Sequence, residues 1–166
     1  MKNLNYSTQI IVSQSAKQVF EAINDVRKWW SEEIEGPTNV QGEEWRYHYK
    51  DIHLCTMKVL ELIPNTKVVW LVTNNYFSFI PDQSEWVGNH IIFDIEEKDN
   101  LTTLTFTQEG LIPDYECYNV CKDGWDNYVQ KSLYNLITTG EGNPNPREGI
   151  GFNQELAEKW GINYTI

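Results

Sequence analysis

The feature that most constrains this chain is a run of about six strand-like pieces between residues 34 and 110, followed by one long amphipathic segment. Pairs of turn-forming residues such as Gln41-Gly42, Pro64-Asn65 and Asp99-Asn100 separate the pieces, and their spacing is short enough for antiparallel hairpins. The stretch does not alternate strands with helical patterns, as a parallel sheet would require. The sequence therefore predicts one antiparallel sheet.

Within the predicted strands, apolar and aromatic residues alternate with polar ones, so that the apolar residues share one face. In the first long strand, Trp45, Tyr47 and Tyr49 point to one side. Arg46 and His48 point to the other side. A sheet face this apolar needs a cover. Later strands extend the same face with Met57, Val59, Val68, Trp70, Val72, Ile91, Phe93, Ile95, Leu104 and Phe106.

The predicted cover is a helix of about six turns from about Tyr115 to Ile137. Gly124 lies inside this helix, where it costs roughly 1 kcal/mol relative to Ala, so we expect a close approach of the helix to the sheet at that point. Thr139-Gly140 is expected to end the helix. Apolar and small residues recur along one helix face at steps of three and four: Tyr118, Cys121, Trp125, Tyr128, Ser132 and Leu136.

The two ends of the chain complete this arrangement. A first strand is predicted over residues 5–12, followed by a helix capped by Ser13 or Ser15 and broken near Asn24-Asp25. Residues 141–151 are rich in Gly and Pro and predict an irregular linker, and residues 152–160 predict one or two helical turns that dock. We therefore expect a domain over residues 1–140 and a C-terminal tail over residues 141–166 that packs on it.

Four segments, taken in order, carry a resemblance to a known family. The chain resembles the family named for the activator of the ninety-kilodalton heat-shock chaperone's ATPase, which belongs to the START-like superfamily together with polyketide cyclases and the birch pollen allergen. One departure is that Gly42 stands alone where the family often has a glycine pair. The segments are residues 10–23 leading to Trp29-Trp30, residues 57–64, residues 101–110, and Gly124-Trp125 before Leu133.

The resemblance covers residues 5–140 and implies an α+β helix-grip fold, START-like and of the TATA-box-binding-protein-like class. In this fold a curved antiparallel sheet wraps around a long C-terminal helix and an apolar cavity. The resemblance implies binding of a ligand or client more readily than a reaction, and it brings no catalytic motif. No cofactor is expected from it.

Charge narrows the range of partners. The chain carries 13 Lys+Arg and 24 Asp+Glu, a formal net charge of -11, which would repel phosphate backbones and anionic membranes. The start of the chain lacks an apolar signal core, so we expect a cytoplasmic protein that binds neither nucleic acid nor membrane. The oligomeric state is left open.

The cysteines and histidines are not expected to form a reactive centre. Cys117 and Cys121 are four residues apart on the predicted helix, but the sequence supplies no compact set of four zinc ligands, so we expect free thiols, no disulfide and no metal. His48, His53 and His90 fall on different strands and are interpreted as surface side chains. Four carboxylates near the start of the last helix are expected to stabilise its positive end: Asp114, Glu116, Asp123 and Asp126.

The aromatic residues carry the functional hypothesis. They make up 13% of the chain, and a ring-lined cavity with a few polar atoms is typical of small-molecule sites. The leading hypothesis is non-catalytic binding of a small hydrophobic or aromatic molecule. The alternatives are a chaperone-associated protein-interaction module and a cyclase-like enzyme that uses the same cavity. The candidate ligand-binding residues are Trp30, Tyr47, Tyr49, Met57, Trp70, Phe93, Phe106, Gln108, Trp125, Tyr128 and Ser132.

Overall fold

The computed structural model describes residues 4–162 and contains the predicted sheet, which has seven antiparallel strands in the order β1-β7-β6-β5-β4-β3-β2. The six pieces expected between residues 34 and 110 are strands β2 to β7. This confirms the α+β helix-grip fold. The strands are β1 Tyr6–Val12, β2 Ile34–Glu35, β3 Glu44–Tyr49, β4 His53–Ile63, β5 Lys67–Phe77, β6 His90–Lys98 and β7 Leu101–Glu109.

The sheet buries one face, as the alternation of residues predicts. Trp45, Met57, Trp70, Phe93 and Phe106 are all fully buried on this inner face. The pairing of β4 with β5 shifts register at two places, and such irregularities bend a strand and increase its twist. The bent sheet can therefore wrap around the helix that covers it.

A helix and a short 3₁₀ turn follow the first strand. Helix α1, Ala16–Asn24, begins at Ser15, whose hydroxyl accepts a hydrogen bond from the Gln18 backbone while the Gln18 side chain accepts one from the Ser15 backbone. This capping box selects Ser15 as the cap instead of Ser13. The 3₁₀ turn Val26–Lys28 confirms the predicted break after Asn24.

The covering helix spans residues 118–139 in three consecutive parts. These are α2 Tyr118–Asn127, a π-helical segment Tyr128–Leu133, and α3 Tyr134–Thr139. The helix starts three residues later than predicted and ends as predicted, with Gly140 at φ 86°.

The start of this helix is not capped by its own carboxylates, which corrects the expectation from sequence. Glu85, from the loop between β5 and β6, accepts hydrogen bonds from the backbone N–H groups of Glu116 and Cys117 at 2.7 and 3.0 Å. Asp123 and Asp126 instead pair with Lys159 and Lys122. The helix end is therefore held by a loop far away in sequence.

Two further expectations about this helix are wrong. The structure joins Cys117 and Cys121 in a disulfide, because the start of the helix brings their Cα atoms to 5.7 Å, and Cys55 is the free cysteine of the described chain. Gly124 does not approach the sheet. A Cβ added to it would meet Leu156 of the tail at 3.7 Å, an ordinary contact, so the glycine faces the C-terminal segment.

The tail runs across the body of the protein before it forms helix α4, Phe152–Lys159. The backbone N–H of Asn143 donates to the Ser132 hydroxyl at 2.7 Å, and that of Asn145 donates to the Trp30 carbonyl at 2.8 Å. Helix α4 then packs against α2. Within residues 4–162, no helix is both long enough and apolar enough to cross a bilayer.

Candidate functional site

A cavity of about 80 Å³ lies between α2, α4 and the inner face of strands β3 to β5. Its walls are almost wholly aromatic and aliphatic, and none of the described residues that line it is Asp, Glu, Lys or Arg. A cavity of this kind suits an uncharged occupant. The lining residues are Trp30, Tyr47, Tyr49, Ile52, His53, Phe77, Phe79, Trp86, Val120, Cys121, Gly124, Trp125, Tyr128, Asn153, Leu156, Ala157 and Ile162.

Stacked rings hold the walls in place. The ring of Trp30 lies 4.4 Å from that of Tyr47, in a stacked arrangement, and 4.9 Å from that of Trp125. Trp125 in turn stacks on Trp86 at 5.9 Å. These rings come from the 3₁₀ turn region, β3, α2 and the β5–β6 loop, so several separate elements fix the shape of the cavity.

His53, the first residue of β4, has one ring nitrogen fixed by a hydrogen bond. Its Nε2 lies 2.9 Å from Oδ1 of Asn75, and Nδ2 of Asn75 donates to the Gln83 carbonyl at 3.3 Å. The second bond orients the amide, so Asn75 Oδ1 accepts and His53 Nε2 carries the proton. Burial lowers the pKa of His53 to about 4, although the bond to Asn75 opposes this shift. At neutral pH the ring is uncharged and Nδ1 is an acceptor.

Asn153 links helix α4 to two tyrosines of the cavity. Its Nδ2 donates to the Tyr47 hydroxyl at 2.9 Å, and the Tyr128 hydroxyl donates to its Oδ1 at 2.7 Å. Burial raises the pKa of both tyrosines well above the ordinary value, so both hydroxyls stay protonated. A buried polar connection therefore joins the tail to the cavity wall.

The structure brings together some of the residues predicted from the sequence. Trp30, Tyr47, Tyr49, Trp125 and Tyr128 line the cavity. The shared face of the four residues on β3 and the helix was predictable because β3 alternates strictly and the helix repeats every three to four residues, whereas Trp30 follows the 3₁₀ turn.

The other predicted residues lie in the packed interior and do not line the cavity. Met57, Trp70, Phe93 and Phe106 are fully buried because neighbouring rings fill the space, with Trp70 and Phe93 4.9 Å apart and Phe93 and Phe106 5.2 Å apart.

The two polar candidates among them are fully engaged elsewhere. Gln108 accepts from the Trp125 indole at 2.8 Å and donates to Asn89. The Ser132 hydroxyl donates to the Trp29 carbonyl at 2.6 Å and accepts from Asn143, so it anchors the tail.

Several lining residues were missed by sequence reasoning, and the interpretation of His53 as a surface residue is wrong. A signal for it existed, because His53 has the same strand parity as Cys55 and Met57, which face inwards. Trp86 lies in an irregular loop and Asn153 in a short tail helix, where no periodicity indicates a partner.

Comparison with known proteins identifies the family of this chain. The sequence model of the family described as activator of Hsp90 ATPase homolog 1-like protein matches residues 13–138, which is most of the chain. The chain belongs to this family. A comparison with curated proteins gives no match.

Solved structures share the fold of this Hsp90-activator-like family member. The Aha1 dimer from Colwellia psychrerythraea has a TM-score of 0.69 at 25% identity, covering 84% of this chain and 100% of that one. DynU16, from the dynemicin biosynthetic locus, has a TM-score of 0.60 at 17% identity, covering 85% of this chain and 49% of that one. EF2215 from Enterococcus faecalis, a conserved protein of unknown function, has a TM-score of 0.56 at 18% identity, covering 98% of this chain and 90% of that one.

The family match ends before the tail helix that lines the cavity. Residues 13–138 include the sheet from β2 to β7 and almost all of the covering helix, whereas α4 lies beyond them. Asn153, Leu156, Ala157 and Ile162 therefore add to the cavity from outside the matched region.

Proposed function

We propose that this protein binds a small, neutral, apolar or aromatic molecule in the cavity under α4 and does not convert it. The observation that carries the proposal is the ring-lined space between α2, α4 and the sheet, beside an otherwise well-packed core. Protein interiors normally leave few voids larger than a water molecule, so a void with ordered aromatic walls suits an occupant. Membership of a family with a helix-grip fold is consistent with ligand binding.

The size of the cavity limits the occupant. An apolar cavity of about 150 Å³ engineered in another protein accepts benzene. The present cavity of about 80 Å³ is roughly half as large. We therefore expect a single ring or a molecule of similar bulk, admitted with a small outward movement of α4. Long-chain lipids and multi-ring polyketides exceed the space.

The chemistry of the lining favours binding over conversion. Burial raises the pKa of the tyrosine hydroxyls further above neutral pH, so they do not exchange protons readily at neutral pH. His53, with a pKa of about 4, is a weak base. Efficient acid–base catalysis instead uses groups with pKa values near the working pH.

A protein-interaction module is the second candidate, and the family description favours it, together with the dimeric state named for the Colwellia structure. Light scattering on the purified protein would show whether it also dimerises.

The charge of -11 supports partners other than nucleic acid. A cytoplasmic location stays a prediction, which imaging of a tagged chain would check.

A thermal-shift screen tests the ligand proposal. We expect toluene or phenol to raise the melting temperature, because a ligand at a hundred times its Kd adds about 2.7 kcal/mol to the free energy of unfolding. A long-chain fatty acid should give no rise.

A matched pair of variants locates the binding. Ala157 is buried and lines the cavity, whereas Glu158 is exposed on the same helix. Ala157→Leu should fill the cavity and abolish the shift, and Glu158→Leu should preserve it. Absence of a shift with every small aromatic, or a shift that survives in folded Ala157→Leu, would contradict the proposal.

A further inference from the structure

We infer that His53 determines specificity in this cavity and that the preferred ligand is a small neutral aromatic carrying a hydrogen-bond donor, as a phenol does. The inference rests on the proposed function, since it concerns the ligand of the same cavity.

The imidazole of His53 is held in one tautomer by its neighbours. Asn75 is buried, and its amide is held on one side by the Gln83 carbonyl and on the other by His53 Nε2. Reversing the amide would place its oxygen against the Gln83 carbonyl, which is unfavourable because both are acceptors. The proton therefore stays on Nε2, and Nδ1 presents a lone pair.

The imidazole ring of His53 lies among aromatic side chains. His53 lies 4.4 Å from Phe77, 4.8 Å from Trp86 and 5.2 Å from Tyr47, measured between ring centroids. The His53 ring lies well below the protein surface, yet its side chain keeps some accessible surface and lines the cavity. The imidazole is therefore part of the cavity wall. An incoming molecule meets an imidazole set among aromatic rings.

Three of the polar groups near His53 already have partners. The hydroxyls of Tyr47 and Tyr128 are engaged with Asn153, and the indole N–H of Trp125 is engaged with Gln108. The indole N–H of Trp86, which also lines the cavity, has no hydrogen-bond partner within the described residues, so a ligand hydroxyl could serve both this donor and the imidazole. Nδ1 of His53 makes no hydrogen bond to a residue in the range 4–162. A purely apolar ligand would cover this acceptor and leave it unsatisfied, whereas a ligand O–H or N–H would satisfy it.

The experiment compares toluene with phenol, which have similar size and differ in the donor. Water solvates phenol better than toluene, so a single Kd is not informative. The quantity to compare is the ratio of the phenol Kd to the toluene Kd, measured by calorimetry in the native protein and in His53→Phe. We expect the substitution to shift this ratio about tenfold against phenol, the effect of one satisfied hydrogen bond, while toluene still binds. Glu158→Leu should leave the ratio unchanged.

A second measurement uses the native protein and remains informative if His53→Phe fails to fold. In protein labelled with ¹⁵N-histidine, phenol should shift the Nδ1 resonance of His53, and toluene should leave it nearly in place. If neither compound binds, the proposed function and this inference both fail. If both bind but the Kd ratio and the Nδ1 resonance do not respond as expected, the cavity remains a ligand site and the role of His53 is overturned.

Discussion

At the scale of single residues, two glycines show how differently the same residue type is used. A Cβ added to Gly142 would lie 2.3 Å from the Lys28 carbonyl oxygen, closer than atoms can approach. One added to Gly124 would meet only Leu156, at an ordinary 3.7 Å. Gly142 is therefore required by the path of the tail, and Gly124 is not required by its surroundings.

This difference predicts opposite effects of one substitution. Gly142→Ala should lower the free energy of unfolding by about 1–3 kcal/mol because the backbone must shift to relieve the clash. Gly124→Ala should leave it unchanged or raise it by up to about 1 kcal/mol because Ala favours the helix. Urea denaturation of both variants measures this. A stable Gly142→Ala protein would mean that the tail does not lie against Lys28.

The lowered pKa of His53 leads us to expect that the free energy of unfolding depends on pH. Its folded pKa of about 4 lies below the ordinary 6.5, so between these values the unfolded chain binds more protons. The contribution of the neutral His53 imidazole to the free energy of unfolding is therefore complete above pH 6.5 and is lost as the pH falls towards 4. At pH 5 the loss amounts to about 2 kcal/mol.

Comparison of variants isolates this contribution from other titrating groups. The free energy of unfolding of the native protein should fall more between pH 7 and pH 5 than that of His53→Gln. Equal losses in the two proteins would show that the imidazole titrates normally in the folded state.

At the scale of elements, α4 is held to the body by a buried polar connection as well as by apolar contact. Asn153 satisfies the hydroxyls of Tyr47 and Tyr128, and all three residues are buried. Loss of a shared partner leaves buried polar groups unsatisfied, at about 1–3 kcal/mol for each group.

Asn153→Ala is therefore expected to lower the free energy of unfolding by about 2–4 kcal/mol. The neighbouring Gln154→Ala removes only an exposed hydrogen bond to Glu158 and should cost less than about 0.5 kcal/mol. Urea denaturation compares the two. Similar small losses would indicate that α4 does not depend on the tyrosines.

At the scale of the whole molecule, the sheet and its covering helix were predictable because both depend on periodic patterns. Alternation placed Trp45 and Tyr47 on the inner face, and steps of three and four placed Trp125 and Tyr128 opposite them. Periodicity tells which face is buried. It does not tell whether neighbouring rings fill the space above a residue, which is why Trp70 and Phe93 proved to be packed core.

The remaining features depend on contacts between segments that carry no repeating pattern. Trp86 comes from a loop and Asn153 from the tail, and both reach the cavity through contacts with residues far away in sequence. The cap on the covering helix is likewise supplied by Glu85 from a loop. Such partners follow from the complete fold, and local residue preferences do not specify them.

The strand order has a consequence for how the chain assembles during synthesis. Among residues 4–162, strand β1 pairs with β7 alone, joining Tyr6 to Gln108 and Val12 to Thr102, whereas β3 to β7 pair as consecutive hairpins. Strand β1 therefore leaves the ribosome about a hundred residues before its partner. Long-range pairing of this kind slows folding, because the intervening loop must close before any contact stabilises it. We expect β1 to dock after the hairpins have formed, so its substitutions should speed unfolding more than they slow folding.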